Sequence, residues 1–334
     1  TQLSELSLKK IIIVIGYQGE KLRSYLGENY LNTKIEYIYN PIYDKTNNIY
    51  SLALAKESLQ EDDSLLIESD LIFDDSLFRK IIDNPYPDIT LVDKYESWMD
   101  GTMVTLDEEN NIENFVSKKA FKYSDVHNYY KTVNIYKFSK EFSKHKNVPF
   151  LDAYCKAKAH NQYNAQLKKD ISRLATTHLK ALPLNGEKWY EIDDIQDLDI
   201  AETIFACDED QLIKYQSRYG GYWRFPSLLD FCYLVNPYFP PKKMIEELKA
   251  NFDILLTEYP SGMKINSLLA GKYFGIKSDY TCIGNGAAQL IKSLMEKLDG
   301  KIGVIFPTFE EYPNRKKQEE LVTYIPENHN FSYT

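Results

Sequence analysis

Apolar and polar segments alternate regularly through the first third of the chain. Five consecutive apolar residues at 11–15 predict a buried strand at 10–16, and the amphipathic segment after them predicts a helix at 18–29. The same order repeats, with strands predicted at 34–39, 64–69 and 88–93 and helices at 48–59 and 76–82. Strands that alternate with helices predict a parallel sheet with helices on its faces, which is an α/β fold.

The pattern changes near residue 100. Strands are predicted at 102–106, 111–116 and 130–138, and turn residues such as those at 107–110 separate them. This indicates antiparallel pairing and therefore a mixed sheet. A helix at 151–173, strands at 179–182 and 188–192, and a closing helix at 197–206 complete this part of the chain.

A shift in composition marks a second part. The acidic segment 207–210 begins a polar linker predicted over 207–217, and a short linking helix within it is an open alternative. After a loop at 218–224, helices are predicted at 241–251, 264–274 and 287–298, and strands at 279–283 and 302–306. The predicted organisation is therefore a first domain at 1–206, a linker at 207–217 and a second α/β domain at 218–334.

Composition narrows the class of protein. The chain has 334 residues, of which 43% are hydrophobic, enough for two domains, and its net charge of −9 disfavours a nucleic-acid partner. The four cysteines are dispersed without a CxxC pair, which disfavours a disulfide framework or a zinc site.

Because no apolar run is long enough to span a membrane, a cytoplasmic location without membrane partners is expected. The chain starts at Thr1, nearly at a core strand, so we expect a fragment of a longer protein.

Two aspartates follow short apolar runs that are far apart in sequence. Asp70 follows the predicted strand at 64–69, and Asp193 follows the strand at 188–192. Ligands of open α/β sheets lie outside the carboxyl ends of the strands, and magnesium binds through one or two carboxylates together with substrate phosphates. The pair therefore predicts a magnesium site formed by Asp70 and Asp193, and caps at strand ends are the alternative interpretation.

Five motifs in the first domain carry a resemblance. They are IIVIGY at 12–17, NNIYSL at 47–52, IESD at 67–70, NIY at 134–136 and YEID at 190–193. In this order and spacing they resemble the phosphocholine cytidylyltransferase-like branch of the sugar-nucleotide transferase family. The resemblance implies a Rossmann-like nucleotidyltransferase domain with a mixed sheet. It also implies magnesium-dependent attack of a phosphate of the acceptor on the α-phosphate of CTP or a similar nucleotide.

The resemblance also assigns residues to the site. Asp70 and Asp193 would be catalytic and hold the metal, and Lys118 would lie near the phosphates, although a solvated pair with Lys119 is the alternative. The substrate-binding residues would be Asn47, Asn48, Ser51, Asn134, Tyr190 and Glu191. Helix N-caps are an equally weighted alternative for the two asparagines at 47 and 48. A quaternary ammonium acceptor such as phosphocholine would also need an aromatic cage, for which Trp98, Tyr136, Trp189 and Tyr190 are available.

One element of that family has no counterpart here. Its glycine-rich, basic loop precedes the first strand and binds the triphosphate through backbone N–H groups. Residues 1–9 contain no glycine. We therefore expect this fragment by itself to be inactive.

Four motifs in the second domain carry another resemblance. They are NPY at 236–238, YPSG at 259–262, IGNGAAQ at 283–289 and PTFEEY at 307–312. They resemble the start of a fold-type-I PLP-dependent aminotransferase of the histidinol-phosphate aminotransferase kind. The resemblance implies that Gly286, Ala287 and Ala288 bind the cofactor phosphate and Phe309 stacks on its ring. Tyr259 would reach the cofactor of a neighbouring subunit in a homodimer.

The family's Schiff-base lysine and its acidic partner for the pyridinium nitrogen match no residue of the chain, so PLP is expected only in the complete protein. The prediction is thus a fragment of a bifunctional enzyme, a cytidylyltransferase joined to the N-terminal part of an aminotransferase. A sugar-1-phosphate nucleotidyltransferase is one alternative, and a non-catalytic nucleotide-binding protein is another.

Overall fold

The computed structural model describes residues 2–101, 103–159, 179–232 and 235–327. The chain forms two compact units, Thr1–Tyr233 and Leu234–Thr334. This division lies later than the predicted linker at 207–217. The reason is that the linker is a helix, Asp208–Ser217, and that Phe225 beyond it is buried against Tyr190 and Ile200. Residues 207–232 therefore belong to the first unit.

A small sheet begins the first unit. Strands β1 (Lys10–Ile15) and β3 (Thr33–Tyr39) pair in parallel from Lys10 opposite Lys34 to Ile15 opposite Tyr39. The short strand β2 (Asn29–Tyr30) pairs antiparallel with β3. The helix Gly19–Leu26 connects β1 to this hairpin, which confirms the predicted strand–helix–strand order.

A larger mixed sheet forms the centre of the first unit. Its strands are β4 (Ser64–Ile67), β6 (Ile89–Lys94), β7 (Met103–Leu106), β8 (Ile112–Val116), β9 (Tyr130–Phe138) and β10 (Lys180–Pro183). The order is β10-β6-β9-β7-β8, and β4 also pairs with β9. Only β10 and β6 pair in parallel, so the predicted α/β class with a mixed sheet is confirmed, and antiparallel pairing dominates this sheet.

The central strand β9 changes its neighbour partway along its length. Along one edge it pairs with β7 through Tyr130 and Lys131, and with β4 from Ile135 onward. Along the other edge it pairs with β6, where the register shifts between Thr90 and Val92. This irregularity is a bulge around Asn134, whose φ of 61° lies in the left-handed region.

Two short strands form a separate antiparallel pair. They are β5 (Leu71–Phe73) and β11 (Trp189–Glu191), with Phe73 opposite Trp189 and Leu71 opposite Glu191. The sequence pattern did not predict β5, since three residues directly after Asp70 are too few to show a period. Their pairing brings the segment after β4 next to the end of β11.

The main core lies between the central sheet and the helix Ser76–Ile82. Leu77, Phe78 and Ile81 lie on one face of that helix and pack against Ile89 and Val133. The other α-helices in the described part of this unit are Asn48–Leu54, Lys56–Leu59, Lys140–Phe142, Val148–Ala159, Ile195–Ile204 and Asp208–Ser217. The helix predicted at 151–173 is thus present up to Ala159, and residues 160–173 lie outside the described residues.

The second unit contains four helices and one strand pair among its described residues. The helices are Lys242–Ala250, Phe252–Thr257, Met263–Phe274 and Ala287–Met295, and strands β12 (Ile302–Ile305) and β13 (Leu321–Tyr324) pair in parallel. The predicted strand at 279–283 is wrong, because Ser278–Tyr280 forms a 3₁₀ turn. Across the described parts of both units, no helix has the length and apolar character that crossing a bilayer requires.

Core packing on the helix Ser76–Ile82 can be tested with two adjacent isoleucines. Ile81 is fully buried, whereas the Ile82 side chain is 41% exposed. We expect Ile81→Ala to lower the free energy of unfolding by about 2–5 kcal/mol through lost burial and a cavity. The matched control Ile82→Ala should change it by about 0.5 kcal/mol or less.

All three tryptophans, Trp98, Trp189 and Trp223, lie in the first unit, so tryptophan fluorescence in a urea titration follows that unit alone. An equal loss of unfolding free energy in Ile81→Ala and Ile82→Ala would contradict this assignment of the core.

Candidate functional site

Three carboxylates meet where β4 ends and β11 ends. Glu68 and Asp70 lie in the segment between β4 and β5, and Glu191 is the last residue of β11. One carboxylate oxygen from each lies within 4.8 Å of the others, and all three residues are half-buried. We call Glu68, Asp70 and Glu191 the carboxylate cluster. Groups of oxygen ligands this close together can hold one hard divalent cation.

Backbone hydrogen bonds fix the positions of these carboxylates. The N–H of Ile192 donates to the carbonyl of Asp70 at 2.8 Å, which continues the β5–β11 ladder beyond Glu191. The N–H of Glu68 donates to the carbonyl of Asn134 at 3.2 Å, which ties the segment after β4 to the bulge in β9. The cluster therefore rests on three strands that are distant in sequence.

Asn134 connects the bulge to the cluster through its side chain. Its amide nitrogen donates to Glu191 Oε1 at 2.9 Å, and its amide oxygen accepts from the Thr132 hydroxyl at 2.9 Å. A left-handed backbone at a residue other than glycine costs of order 1–3 kcal/mol and persists only where the surroundings hold it. Here the conformation directs a buried amide toward Glu191.

The sequence analysis assigned no role to two residues of this site, Glu68, which it named only as part of the motif at 67–70, and Lys131. The side chain of Lys131 is only 3% exposed, and its ammonium lies 3.1 Å from Glu191 Oε2 and 3.4 Å from Oε1. It also donates to the carbonyl of Thr132 at 3.1 Å. A lysine in a strand normally faces solvent, and no signal in the sequence separated Lys131 from the exposed lysines of the chain.

Burial and mutual repulsion shape the electrostatics of the cluster. Burial raises the pKa of the Glu68 carboxyl, opposed by the hydrogen bond that Asn48 donates to it at 2.9 Å. Burial also raises the pKa of the Glu191 carboxyl, opposed by the charge of Lys131. Among the described residues, no donor reaches the buried Oδ1 atom of Asp70. A buried carboxylate oxygen without a donor is the kind of atom that a bound cation satisfies.

The predicted pairing of Asp70 with Asp193 is only partly reproduced. Asp193 is exposed and is not a member of the carboxylate cluster; its backbone N–H donates to an Asp197 carboxylate oxygen at 3.3 Å. Its charge nevertheless contributes to the raised pKa of Glu191, so it lies beside the cluster. Glu191, predicted from the sequence as a substrate-binding residue, takes the position next to Asp70.

Lys118 is exposed and forms an ion pair with Asp100, with 2.5 Å between the ammonium and the carboxylate. That hydrogen bond is the main reason why the pKa of the Lys118 ammonium is raised, and the charge of Asp193 adds to it. Lys118 therefore lies on the side of the cluster that Asp193 occupies.

The predicted substrate-binding residues have different surroundings. Asn47 is an N-cap, since its side chain accepts from the N–H of Tyr50 at 3.4 Å, as the alternative interpretation held. Asn48 instead contacts Glu68. The Ser51 hydroxyl accepts from the side chain of Asn40 at 3.2 Å. Asn48 and Asn134 therefore contact the cluster, while Asn47 and Ser51 form structural contacts.

The four aromatic residues available for a cage have different partners. Trp98 stacks on Tyr190 with ring centroids 4.2 Å apart, and it also contacts Trp189 at 5.2 Å. Trp189 and Tyr190 are buried in the core, and Tyr190 donates to an Asp197 carboxylate at 3.2 Å. Tyr136 stacks on Phe138 instead. Three of the four rings thus contact one another, and Tyr136 contacts a different ring.

The predicted PLP-binding residues all lie in the second unit. Gly286 has a φ of 82° and precedes the helix Ala287–Met295, so the predicted turn into a helix is present, although the predicted strand before it is not. Phe309 is 58% exposed, and Tyr259 is fully exposed. Ile283, just before this turn, and Ile305 are both half-buried.

Comparison with known proteins gives several similarities. CMP-5'-(3-aminopropyl)phosphonate synthase of Streptomyces rubellomurinus is 27% identical over 326 residues, which is 96% of this chain and 51% of that protein. L-serine phosphate decarboxylase of Sulfurospirillum multivorans is 29% identical over 119 residues, 33% of this chain and 30% of that protein. The chain thus spans about half of the length of the first relative.

A solved structure of CTP:phosphocholine cytidylyltransferase from Streptococcus pneumoniae is 22% identical, with a TM-score of 0.47. That similarity covers 61% of this chain and 82% of the other. A family profile described as "Domain of unknown function (DUF6564)" matches residues 3–204. Since that match covers more than half of the chain, the protein belongs to the DUF6564 family.

Proposed function

We propose that the first unit transfers a nucleotidyl group to a small phosphorylated or phosphonylated acceptor. The group proposed is a cytidylyl group. The observation that carries the proposal is the carboxylate cluster, where Glu68, Asp70 and Glu191 converge at strand ends. The sequence motifs at 67–70 and 190–193 support it, since they supply all three residues. The name of the first relative, a synthase of a CMP-linked aminopropylphosphonate, agrees with such a reaction.

The residues of the site match the requirements of magnesium. The cluster offers only oxygen ligands, and the Oδ1 atom of Asp70 is buried without a donor. Asp70 and Glu68 would hold the ion, with Asp193 beside the cluster. When bound, magnesium neutralises charge on the transferred phosphate and orients the reacting oxygens.

The remaining groups position these carboxylates and the substrate. Asn48 orients Glu68, and Asn134 orients Glu191, each through one amide hydrogen bond of 2.9 Å. Lys118 is exposed near Asp193 and would bind an acceptor or pyrophosphate oxygen after leaving Asp100. Phosphoryl-type transfer depends mainly on such positioning and charge neutralisation.

We also propose that the second unit is part of a PLP-dependent aminotransferase-like domain in a longer protein. The first relative matches along 96% of this chain, so both units resemble parts of one protein. Gly286, Ala287 and Ala288 would bind the cofactor phosphate at the start of the helix Ala287–Met295. This domain would form the homodimer, and the longer protein would use both activities on one small amino compound.

The metal assignment can be tested in the full-length protein. We expect Asp70→Asn and Asp193→Asn each to lower kcat by about 10²–10³-fold, since each removes charge beside the transferred phosphate. The assay is pyrophosphate release from CTP with a panel of phosphate, phosphonate and sugar-1-phosphate acceptors.

Asp75→Asn is the matched control, because Asp75 is exposed and its side chain makes no cap hydrogen bond. Its kcat should stay within twofold of the unchanged protein. Near-normal turnover in Asp70→Asn would rule out the assignment. Turnover with sugar-1-phosphates alone would favour a sugar-1-phosphate nucleotidyltransferase. Nucleotide binding without pyrophosphate release would favour a non-catalytic nucleotide-binding protein.

Whether the second unit lacks the Schiff-base lysine can be tested by absorbance. We expect the purified chain mixed with PLP to form no stable Schiff-base chromophore, because the resemblance assigns the Schiff-base lysine to no residue present. The longer protein should form one under the same conditions. A stable chromophore in this chain that disappears when a lysine between 242 and 317 is substituted would show the proposal to be wrong.

A further inference from the structure

Lys131 carries a buried charge for which the proposed function has no role. Its side chain is 3% exposed, and its ammonium contacts both oxygens of Glu191. At this depth it cannot reach a substrate phosphate, so any effect on the reaction acts through Glu191. Burying an ammonium is costly unless it is paired, and the pair with Glu191 meets that requirement.

The ammonium changes the charge of the carboxylate cluster. Three ionised carboxylates with oxygens within 4.8 Å of one another carry a formal charge of about −3 before any partner is counted. Lys131 reduces that to about −2. Because the site is half-buried, this difference is screened much less than it would be at an exposed surface.

The ammonium also engages Glu191, one of the three carboxylates of the cluster. The Oε1 atom of Glu191 accepts hydrogen bonds from Lys131 and Asn134, and its Oε2 atom lies 3.1 Å from the Lys131 ammonium. Glu68 and Asp70 are then the carboxylates most open to a cation. Magnesium is usually bound by one or two carboxylates together with substrate phosphates, and an all-protein cage of three would hold an ion without any nucleotide.

We propose that Lys131 is a positioning residue that makes cation binding at the carboxylate cluster depend on the nucleotide. By pairing with Glu191, it keeps the nucleotide-free cluster a weak site, and the phosphates of the nucleotide supply the missing ligands. The identity of the nucleotide rests on the proposed function, whereas the effect of Lys131 on the empty cluster does not.

The test measures Mn²⁺ binding to the nucleotide-free chain by the loss of the free-ion EPR signal. We expect Lys131→Met to bind Mn²⁺ at least tenfold more tightly than the unchanged chain, since it keeps most of the length of the side chain and removes the opposing charge. Lys131→Arg, which keeps the charge, should bind as the unchanged chain does. Lys80→Met is the matched control, because Lys80 forms a half-buried pair with Glu187 away from the cluster.

Glu191 must be the residue through which Lys131 acts. In the double variant Lys131→Met with Glu191→Gln, the gain in Mn²⁺ affinity should disappear. If Lys131→Met does not fold, as judged by its tryptophan fluorescence, the double variant alone is decisive. It removes one charge of each sign, so its Mn²⁺ affinity in the absence of nucleotide should lie within threefold of that of the unchanged chain.

Two results would overturn the proposal. One is a folded Lys131→Met variant whose Mn²⁺ affinity is unchanged or weaker. The other is a tenfold or larger loss of affinity in the double variant relative to the unchanged chain. Because no nucleotide is present in these titrations, failure of the nucleotidyl transfer assay and failure of this proposal are separate outcomes.

Discussion

The pairing of β5 with β11 is the constraint on which the candidate site depends. Three residues of each strand pair, and this contact is the reason why Asp70 lies beside Glu191. The pairing is antiparallel and short, so it gains support from Trp189, which is buried in the main core. Because the core holds Trp189, the short β5–β11 ladder can position Asp70 and Glu191 at its end. Both carboxylates are only half-buried there.

The bulge in β9 is the second constraint. A regular strand would direct the side chains at 131 and 134 to opposite faces, because side chains alternate along a strand. The left-handed backbone at Asn134 breaks that alternation, and both Lys131 and Asn134 contact Glu191. Backbone strain at this point is therefore linked to the geometry of the carboxylates, as is common at functional sites.

The two units differ in how much apolar surface they bury. In the first unit, Leu77, Ile81 and Leu91 are fully buried within a continuous core. In the described part of the second unit, only Ile291 and Met295 are buried among the large apolar side chains, while residues such as Leu256 and Phe274 are two-thirds exposed or more. Exposed apolar surface of this extent is typical of a surface that contacts other protein.

The sequence by itself determined the order of the main elements and the class of fold. Apolar runs such as 11–15 predicted their strands closely, because burial of a strand requires a local pattern that the sequence shows directly. The same pattern placed Asp70 and Asp193 directly after strands, since a strand ends where its apolar run ends.

Only the tertiary structure decided which of these residues meet. The strand β5 is too short to predict, yet its pairing places Glu191, and not Asp193, among the cluster carboxylates. Lys131 resembles any surface lysine in the sequence, and it is buried because a bulge at Asn134 and an acidic partner on another strand lie around it. Such contacts join residues far apart in the chain, so no local pattern can encode them.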